Sequence, residues 1–268
     1  MLRNPNNAIM RPMQEQPLHL PSVTLCAVSS VNVAATIAAL ERSMDQIAFG
    51  RVQIFTDADP CKFRPAMNQA IEVVPIEPLT SAAAYSTYLL ERLPDHIMTE
   101  YCLITQWDGH VIDAGRWHPE FLEYDYIGAS WPQFSDGHDV GNGGFSLRSR
   151  RLMEACRGPE FLRHHPEDLA LARTNRKLLE SKGLQFAPRY LADLFAAERA
   201  SDPGATFGYH GVFLMPRVLG TDEFWQVYMG LDNQSTLKHD FWPILREMAR
   251  GRKGARRALR MLLDWLRD

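Results

Sequence analysis

Short apolar runs alternate along most of the chain with longer segments of helical periodicity. Residues 23–31 (VTLCAVSSV) form a run rich in β-branched side chains, and apolar positions at helical spacing follow through Leu40 and Met44. The same alternation predicts strands at 52–56, 71–76 and 101–106 and a helix near 81–92. Because strands separated by helices pair in parallel, the pattern predicts an α/β fold with a mostly parallel central sheet flanked by helices.

Beyond residue 124 the pattern becomes less regular. It predicts a strand at 124–132, a Gly-rich turn entering a strand at 139–147, a short helix at 149–156, a long helix at 166–182 and a short strand at 184–188. No internal repeat or low-complexity segment interrupts the chain. We therefore expect a flexible N-terminal segment at 1–21, one α/β domain at 22–230 and a basic helical tail at 231–268.

The tail differs from the rest of the chain in charge. Residues 246–268 hold eight Lys and Arg against three Asp and Glu, with Leu and Trp side chains between the arginines. This pattern is typical of a basic amphipathic helix. Two interpretations stay open: the helix contacts an anionic membrane, or it docks on the domain.

The composition narrows the classes of function. The chain has 29 Lys and Arg against 32 Asp and Glu, a formal net charge of −3, so we expect no nucleic-acid partner that binds through bulk positive charge. The four cysteines form no CxxC pair, which argues against a zinc clamp.

The first twenty residues lack the apolar segment of a signal peptide, and no later segment approaches the roughly 18 apolar residues of a membrane span. We expect a cytoplasmic location.

Polar side chains follow three of the predicted strands, where ligands of open parallel sheets bind. They are Ser29, Ser30 and Asn32 after the first strand, Thr56 and Asp57 after the second, and Gln106, Trp107 and Asp108 after the strand at 101–106. Taken alone, Ser29 or Asp57 is explained better by a turn or cap role than by ligand binding. The charge of Asp108 needs a partner at the end of a buried strand, and a hard divalent cation would supply one.

Three further motifs carry candidate chemistry. The glycines of VGNGGFS (140–146) allow positive φ or close backbone approach to a ligand, although a hairpin bend has the same composition. Glu167 and Asp168 begin a helix, where the helix dipole alone favours acids. His210 lies between two glycines in FGYHG. The chain contains no P-loop, GxGxxG or GxSxG motif, which disfavours the corresponding nucleotide-binding and hydrolase classes.

Taken in order, these segments resemble the GT-A glycosyltransferase fold. Gln106-Trp107-Asp108 matches its Asp-x-Asp motif, residues 140–145 its glycine loop, Pro166-Glu167-Asp168 its acidic motif and His210 its terminal metal-binding histidine. A bacterial family of unassigned glycosyltransferases is a closer resemblance, carried by the segments QWDG, EYDYIGASWP, VGNGGFSLRSR and FGYHG. The resemblance covers residues 22–215. Gln106 departs from the wider pattern because it replaces the first aspartate.

The resemblance implies an enzyme that moves a sugar from a nucleotide-sugar donor to a glycan or lipid-linked acceptor. It implies Mn²⁺ or Mg²⁺ held by Asp108 and His210, and Asp168 as the catalytic base of an inverting enzyme, with Glu167 as the second candidate. Trp107 and Trp131 offer faces for stacking, although Trp also fills cores. The implied nucleotide-sugar-binding residues are Ser29, Ser30, Asn32, Thr56, Asp57, Gln106, Trp107, Asp108, Asn142, Gly143 and Gly144.

Two alternatives stay open beside the glycosyltransferase. A nucleotidyltransferase can share the sheet and the cation, but no GxG-x-R/K loop follows the first strand. A sugar- or nucleotide-binding module without turnover fits the replacement of an aspartate by Gln106. For the enzyme, the basic tail indicates peripheral contact with the inner membrane face, where lipid-linked acceptors reside.

Overall fold

The computed structural model describes residues 17–250 and 253–266. Of the N-terminal segment predicted to be flexible, residues 1–16 lie outside the described residues, whereas residues 18–21 belong to the first strand. The strands are β1 (Leu18–Val28), β2 (Ile47–Thr56), β3 (Glu72–Pro75), β4 (Tyr101–Thr105), β5 (Gly109–Val111), β6 (Tyr126–Gly128), β7 (Ser146–Ser149), β8 (Ala196–Ala197) and β9 (Gly208–His210).

The chain has an α/β fold around a mixed six-stranded sheet. The strand order is β3-β2-β1-β4-β7-β6, and the β3, β2, β1 and β4 strands run parallel. The β7 strand runs antiparallel to both β4 and β6, so the sheet is largely but not purely parallel. Val23, Leu25, Leu103 and Leu147 lie in one buried cluster, which fixes the register of the central strands.

A second, three-stranded sheet has the order β5-β9-β8. It positions His210 beside the residues that follow β4, because Gly109 at the start of β5 pairs with His210 at the end of β9. A Cβ at Gly109 would come within 2.7 Å of the Tyr209 carbonyl oxygen. The close pairing of β5 and β9 therefore requires glycine at this position.

Helices cover the sheet and form the C-terminal part of the structure. The α-helices are α1 (Val33–Met44), α2 (Ala82–Glu91), α3 (Arg150–Ala155), α4 (Glu167–Leu169), α5 (Arg176–Ser181), α6 (Arg189–Phe195), α7 (Met215–Val218), α8 (Thr221–Gly230), α9 (Phe241–Met248) and α10 (Gly254–Trp265). Short 3₁₀ helices include Val212–Leu214 and Gln234–Asp240. No helix within the described part of the chain is long and apolar enough to cross a membrane.

Three elements differ from the sequence prediction. The strand predicted at 124–132 is confined to β6, and the strand predicted at 184–188 is an isolated bridge at Phe186. The helix predicted at 166–182 is interrupted by a π-helical segment, Ala170–Thr174. The reason is Asn175, whose amide nitrogen Nδ2 donates to the carbonyl oxygens of Ala170 at 2.9 Å and Leu162 at 3.0 Å. The bond to Leu162 ties the helix to the loop that precedes it, and the bond to Ala170 replaces part of the regular helical ladder.

The tail docks on the preceding elements and does not form a separate unit. One buried cluster contains Tyr209, Phe224, Ile244 and Met261, so it crosses the domain boundary predicted at residue 230. Arg257 of α10 is 5% exposed and forms an ion pair with Asp222. The opposite face of α10 stays exposed and contains Leu259, Leu263 and Leu266 between arginines.

We predict that this docking contributes strongly to stability. Met261 is completely buried, so Met261→Ala should lower the free energy of unfolding by about 2–5 kcal/mol through lost burial and a residual cavity. Leu259→Ala on the same helix is the control, because Leu259 is 59% exposed and its loss should change stability by less than about 0.5 kcal/mol. Chemical denaturation measures both values. Equal, small effects would contradict the docked helix.

Candidate functional site

The main candidate site is a cavity of about 510 Å³ at the carboxyl ends of β1 and β4. The chain passes from β1 to β2 and β3 on one side and then returns to β4 on the other, so this edge is the topological switch point where open α/β sheets bind ligands. Five of the residues selected from the sequence line the cavity: Ser29, Ser30, Gln106, Trp107 and Glu167.

The two serines line the part of the cavity that follows β1. The Ser30 hydroxyl oxygen accepts a hydrogen bond from the Leu79 amide at 2.9 Å, and the Ser29 hydroxyl donates to the Val31 carbonyl oxygen. Both side chains are half-buried. Asn233 and Thr236 of the C-terminal region complete the opposite side of the cavity.

Gln106 links this cavity to the second sheet. Its Nε2 atom donates to the Tyr85 hydroxyl at 3.0 Å, and its Oε1 atom lies 3.2 Å from Nε2 of His210. On the other side of the imidazole ring, Nδ1 of His210 lies 3.3 Å from a carboxylate oxygen of Glu198, directly after β8. Gln106, His210 and Glu198 therefore form a continuous polar row.

Asp108 lies beside this row and is buried. Its Oδ1 atom is 3.5 Å from Nε2 of His210, which is within ion-pair range, but no hydrogen-bond partner for this oxygen exists among the described residues. Burial raises the pKa of Asp108 above its usual range. Burial alone would lower the pKa of His210, but the Asp108 and Glu198 carboxylates outweigh it and raise this pKa to about 9. The two carboxylates thus favour a positive charge on or beside the His210 ring.

The donor set of this cluster fits a divalent cation. Carboxylate oxygen and neutral imidazole nitrogen are both ligands of Mn²⁺, so a cation here would replace the proton of His210, and Asp108 offers an oxygen without a hydrogen-bond partner. Within residues 17–250 and 253–266, no group of three or more His, Cys, Asp or Glu side chains is arranged to hold a metal ion. Asp108 and His210 would hold such an ion only as a pair, with further ligands from a bound molecule or water.

The glycine loop separates the histidine from the acidic motif. A Cβ at Gly144 would overlap the His210 ring, and a Cβ at Gly143 would come within 2.6 Å of a Glu167 carboxylate oxygen. Neither glycine has the positive φ that their composition suggested. Their role is close approach, in which the backbone packs against the side chains of the site. The Asn142 Oδ1 atom accepts from the Gly144 amide at 3.1 Å and stabilises the turn.

Glu167 is held in a buried ion pair with Arg148 of β7. Arg148 Nη2 donates to Glu167 Oε1 at 3.0 Å, and both side chains are at least nine-tenths buried. The Ser86 hydroxyl donates to the other Glu167 oxygen at 3.3 Å and accepts from the Glu167 amide at 3.2 Å. Glu167 therefore has a full set of partners within the protein.

Asp168 is less constrained than Glu167. Its Oδ1 atom accepts from the Leu169 amide at 2.7 Å, and its side chain is partly buried. Burial, together with the nearby charge of Glu167, raises the pKa of Asp168 to about 6. A carboxylate with a pKa near neutrality is suited to accept and release a proton.

Some predicted ligand residues have other roles in the structure. Asn32 is 2% exposed in a left-handed conformation (φ 53°), and its Oδ1 atom accepts from the Asn233 amide at 3.0 Å. It therefore ties the start of α1 to the C-terminal region. Thr56 is buried and accepts from the Ala58 amide, and Asp57 is exposed outside the cavity lining. Trp131 is a core side chain, 7% exposed.

Three residues that the sequence analysis did not select complete the site. Arg148 lies in the VGNGGFSLRSR segment, and an arginine in the middle of a buried strand was an available signal for a charged partner. Tyr85 lies on α2 and reaches Gln106, and burial raises the pKa of its hydroxyl. Glu198 follows a two-residue strand, which no local sequence pattern identifies.

The fold and the site define an α/β protein with a polar cavity at the switch point of its sheet. Residues 68–210 match the family described as protein of unknown function (DUF5672), and the chain belongs to this family. The matched segment contains Gln106, Asp108, the glycine loop, the acidic motif and His210. A search of curated proteins finds no match.

We predict that Gly144 is required for the position of His210. The methyl group of Gly144→Ala would overlap the imidazole ring and push it away from Asp108 and Glu198, so the pKa of His210 should fall from about 9 towards its ordinary value of roughly 6.5. An NMR titration of the histidine ring signals measures this change. Gly230→Ala is the control, because a Cβ there contacts nothing. An unchanged His210 titration in Gly144→Ala would contradict the packing.

Proposed function

We propose that the protein is a glycosyltransferase with a GT-A-like fold that uses a nucleotide-sugar donor. One observation carries the proposal: residues that follow β1 and β4 line the cavity at the switch point together with Glu167 of the acidic motif, and direct contacts join them to His210 of β9 and to the glycine loop. These segments are the ones on which the sequence resemblance rests. Cavities at such a position bind nucleotides in many α/β proteins.

The cavity and the Asp108–His210 cluster beside it have groups suited to each part of the donor. Ser29 and Ser30 offer hydroxyl groups for the nucleoside, and half-buried Trp107 offers an aromatic face. Asp108 and His210 would hold Mn²⁺ or Mg²⁺ against the diphosphate. When bound, such a cation acts as a Lewis acid that stabilises the leaving diphosphate.

Asp168 is the proposed catalytic base. With a pKa of about 6, its carboxylate is largely ionised at neutral pH and can take the proton of the acceptor hydroxyl. The ion pair between Glu167 and Arg148 leaves Glu167 without a free oxygen for this task, so we assign it a positioning role. It fixes the start of α4, from which Asp168 projects.

The proposed acceptor is a glycan or a lipid-linked glycan. The exposed face of α10, with Leu259, Leu263 and Leu266 beside Arg256 and Arg260, suits peripheral contact with an anionic membrane. In this proposal the protein works in the cytoplasm at the inner membrane face.

Donor binding tests the proposal directly. We expect Mn²⁺ together with one of UDP, GDP, CDP or dTDP to raise the melting temperature, because a ligand at 100 times its Kd stabilises by about 2.7 kcal/mol. Asp108→Ala and His210→Ala should each weaken this binding at least tenfold in Mn²⁺ and leave metal-free binding nearly unchanged. Asp57→Ala is the matched control, because Asp57 is exposed outside the cavity.

Four outcomes of these measurements bear on the proposal. Slow release of free nucleoside diphosphate from the matching nucleotide sugar favours the enzyme, whereas tight binding without any hydrolysis or transfer favours a binding module. Equal losses of binding with and without Mn²⁺ would reject a shared metal site. Failure of all four nucleotides to bind would refute the proposed function.

The base assignment predicts a pH-dependent rate. Only the ionised carboxylate of Asp168 accepts a proton, so transfer should decrease as the pH falls through about 6. Asp168→Asn should fold and bind donor normally, transfer sugar at least about a hundredfold more slowly and lose this pH dependence. Near-normal transfer by Asp168→Asn would exclude this base.

Glu167→Gln should instead lower stability by about 3–5 kcal/mol, since it leaves buried Arg148 without its charge partner.

A further inference from the structure

A second cavity, of about 670 Å³, lies beyond the polar row of the candidate site. Its walls come from the segment after β8, the turn that leads into α7, and α9. None of the residues selected from the sequence lines this cavity. Its lining is unusual in charge and indicates the kind of ligand that it would accept.

The lining is dominated by arginine. Four arginines, Arg199, Arg217, Arg246 and Arg250, line the cavity together with two glutamates. Arg246 has no ion-pair partner among the described residues, and Arg217 has only an exposed pair with Asp202 at 3.2 Å, whereas Arg199 and Arg250 are paired with Asp240 and Glu247. Guanidinium groups bind phosphate oxygens through paired N–H donors, so this lining suits a phosphate group.

The cavity also has an aromatic wall. Trp242, at the start of α9, is 62% exposed and lines the cavity beside Arg246. Sugar rings bind on exposed aromatic faces because they present apolar C–H groups to the ring. An exposed tryptophan next to arginines therefore suits a molecule that carries both a sugar and a phosphate.

The two cavities are joined by three side chains. Gln106 lines the donor cavity, and Glu198 lines the arginine cavity. His210 lies between them, 3.2 Å from Gln106 and 3.3 Å from Glu198. A ligand in the arginine cavity would thus approach the same histidine as the diphosphate of a donor, from the opposite side.

We infer that the arginine cavity is the acceptor subsite and that it binds the phosphate group of a phosphorylated sugar acceptor. The assignment as an acceptor subsite rests on the proposed function. The affinity for a sugar that carries a phosphate group is argued from the lining alone. A soluble sugar phosphate and a lipid-linked sugar phosphate share this chemistry.

The test measures binding of two probes by titration calorimetry: glucose 1-phosphate in solution, and a polyprenyl phosphate sugar in detergent micelles. The double variant Arg217→Gln in α7 and Arg246→Gln in α9 should weaken binding of glucose 1-phosphate at least tenfold. Both arginines are exposed, so the double variant should fold. Arg64→Gln, an exposed arginine outside both cavities, is the matched control and should bind like the wild type. Unphosphorylated glucose should bind at least tenfold more weakly than glucose 1-phosphate.

Each result has a distinct meaning. Binding of the lipid probe alone identifies a lipid-linked acceptor. Binding of both probes shows that the sugar and phosphate groups are sufficient for binding without the lipid. Failure of both probes to bind, or equal binding by the double variant and the wild type, overturns the subsite. Nucleoside diphosphate binding, measured in parallel, should be unchanged in the double variant. If no nucleotide binds while the phosphate probe binds through the arginines, the proposed function fails and the phosphate subsite stands.

Discussion

The buried ion pair between Arg148 and Glu167 is the interaction on which the rest of the site depends. Burying two charges costs several kcal/mol for each ion, and only close pairing with additional hydrogen bonds offsets this cost. Arg148 also donates to the Ser146 hydroxyl at 3.0 Å and lies 3.5 Å from the Gly143 carbonyl oxygen. One guanidinium group therefore fixes the central sheet, the glycine loop and the acidic motif relative to one another.

The second constraint is the close approach of backbone to side chains. Gly109, Gly143 and Gly144 each occupy a position where a single additional carbon would collide with another part of the site. Glycine is used here for its small size rather than for unusual backbone angles. As a consequence, the imidazole of His210 is confined between a loop, two carboxylates and an amide. Its raised pKa follows from this confinement among acids.

The central α/β pattern and the residues at the strand ends could be predicted from sequence, because the hydrophobic period of a strand is a local property and strands separated by helices usually pair in parallel. Gln106 and Ser30 were found in this way. The role of Asn32 in holding the C-terminal region could not be predicted in this way. An asparagine after a strand has the same local sequence pattern whether it binds a ligand or another loop. Glu198 and the π segment before Asn175 depend on single side-chain contacts, from Glu198 to His210 and from Asn175 to Leu162, that span 12 and 13 residues. Such contacts leave no periodic signal.

Asn32 also connects two parts of the molecule that are far apart in sequence. Its side chain bonds Asn233 and Thr236, and both of these residues form part of the wall of the cavity at the switch point. The C-terminal helices are therefore a structural component of the cavity. If they separate locally from the sheet, the cavity loses one wall and its affinity for a ligand. By mass action, an occupied cavity would then oppose that separation, so hydrogen exchange in the C-terminal helices would slow when the cavity is filled.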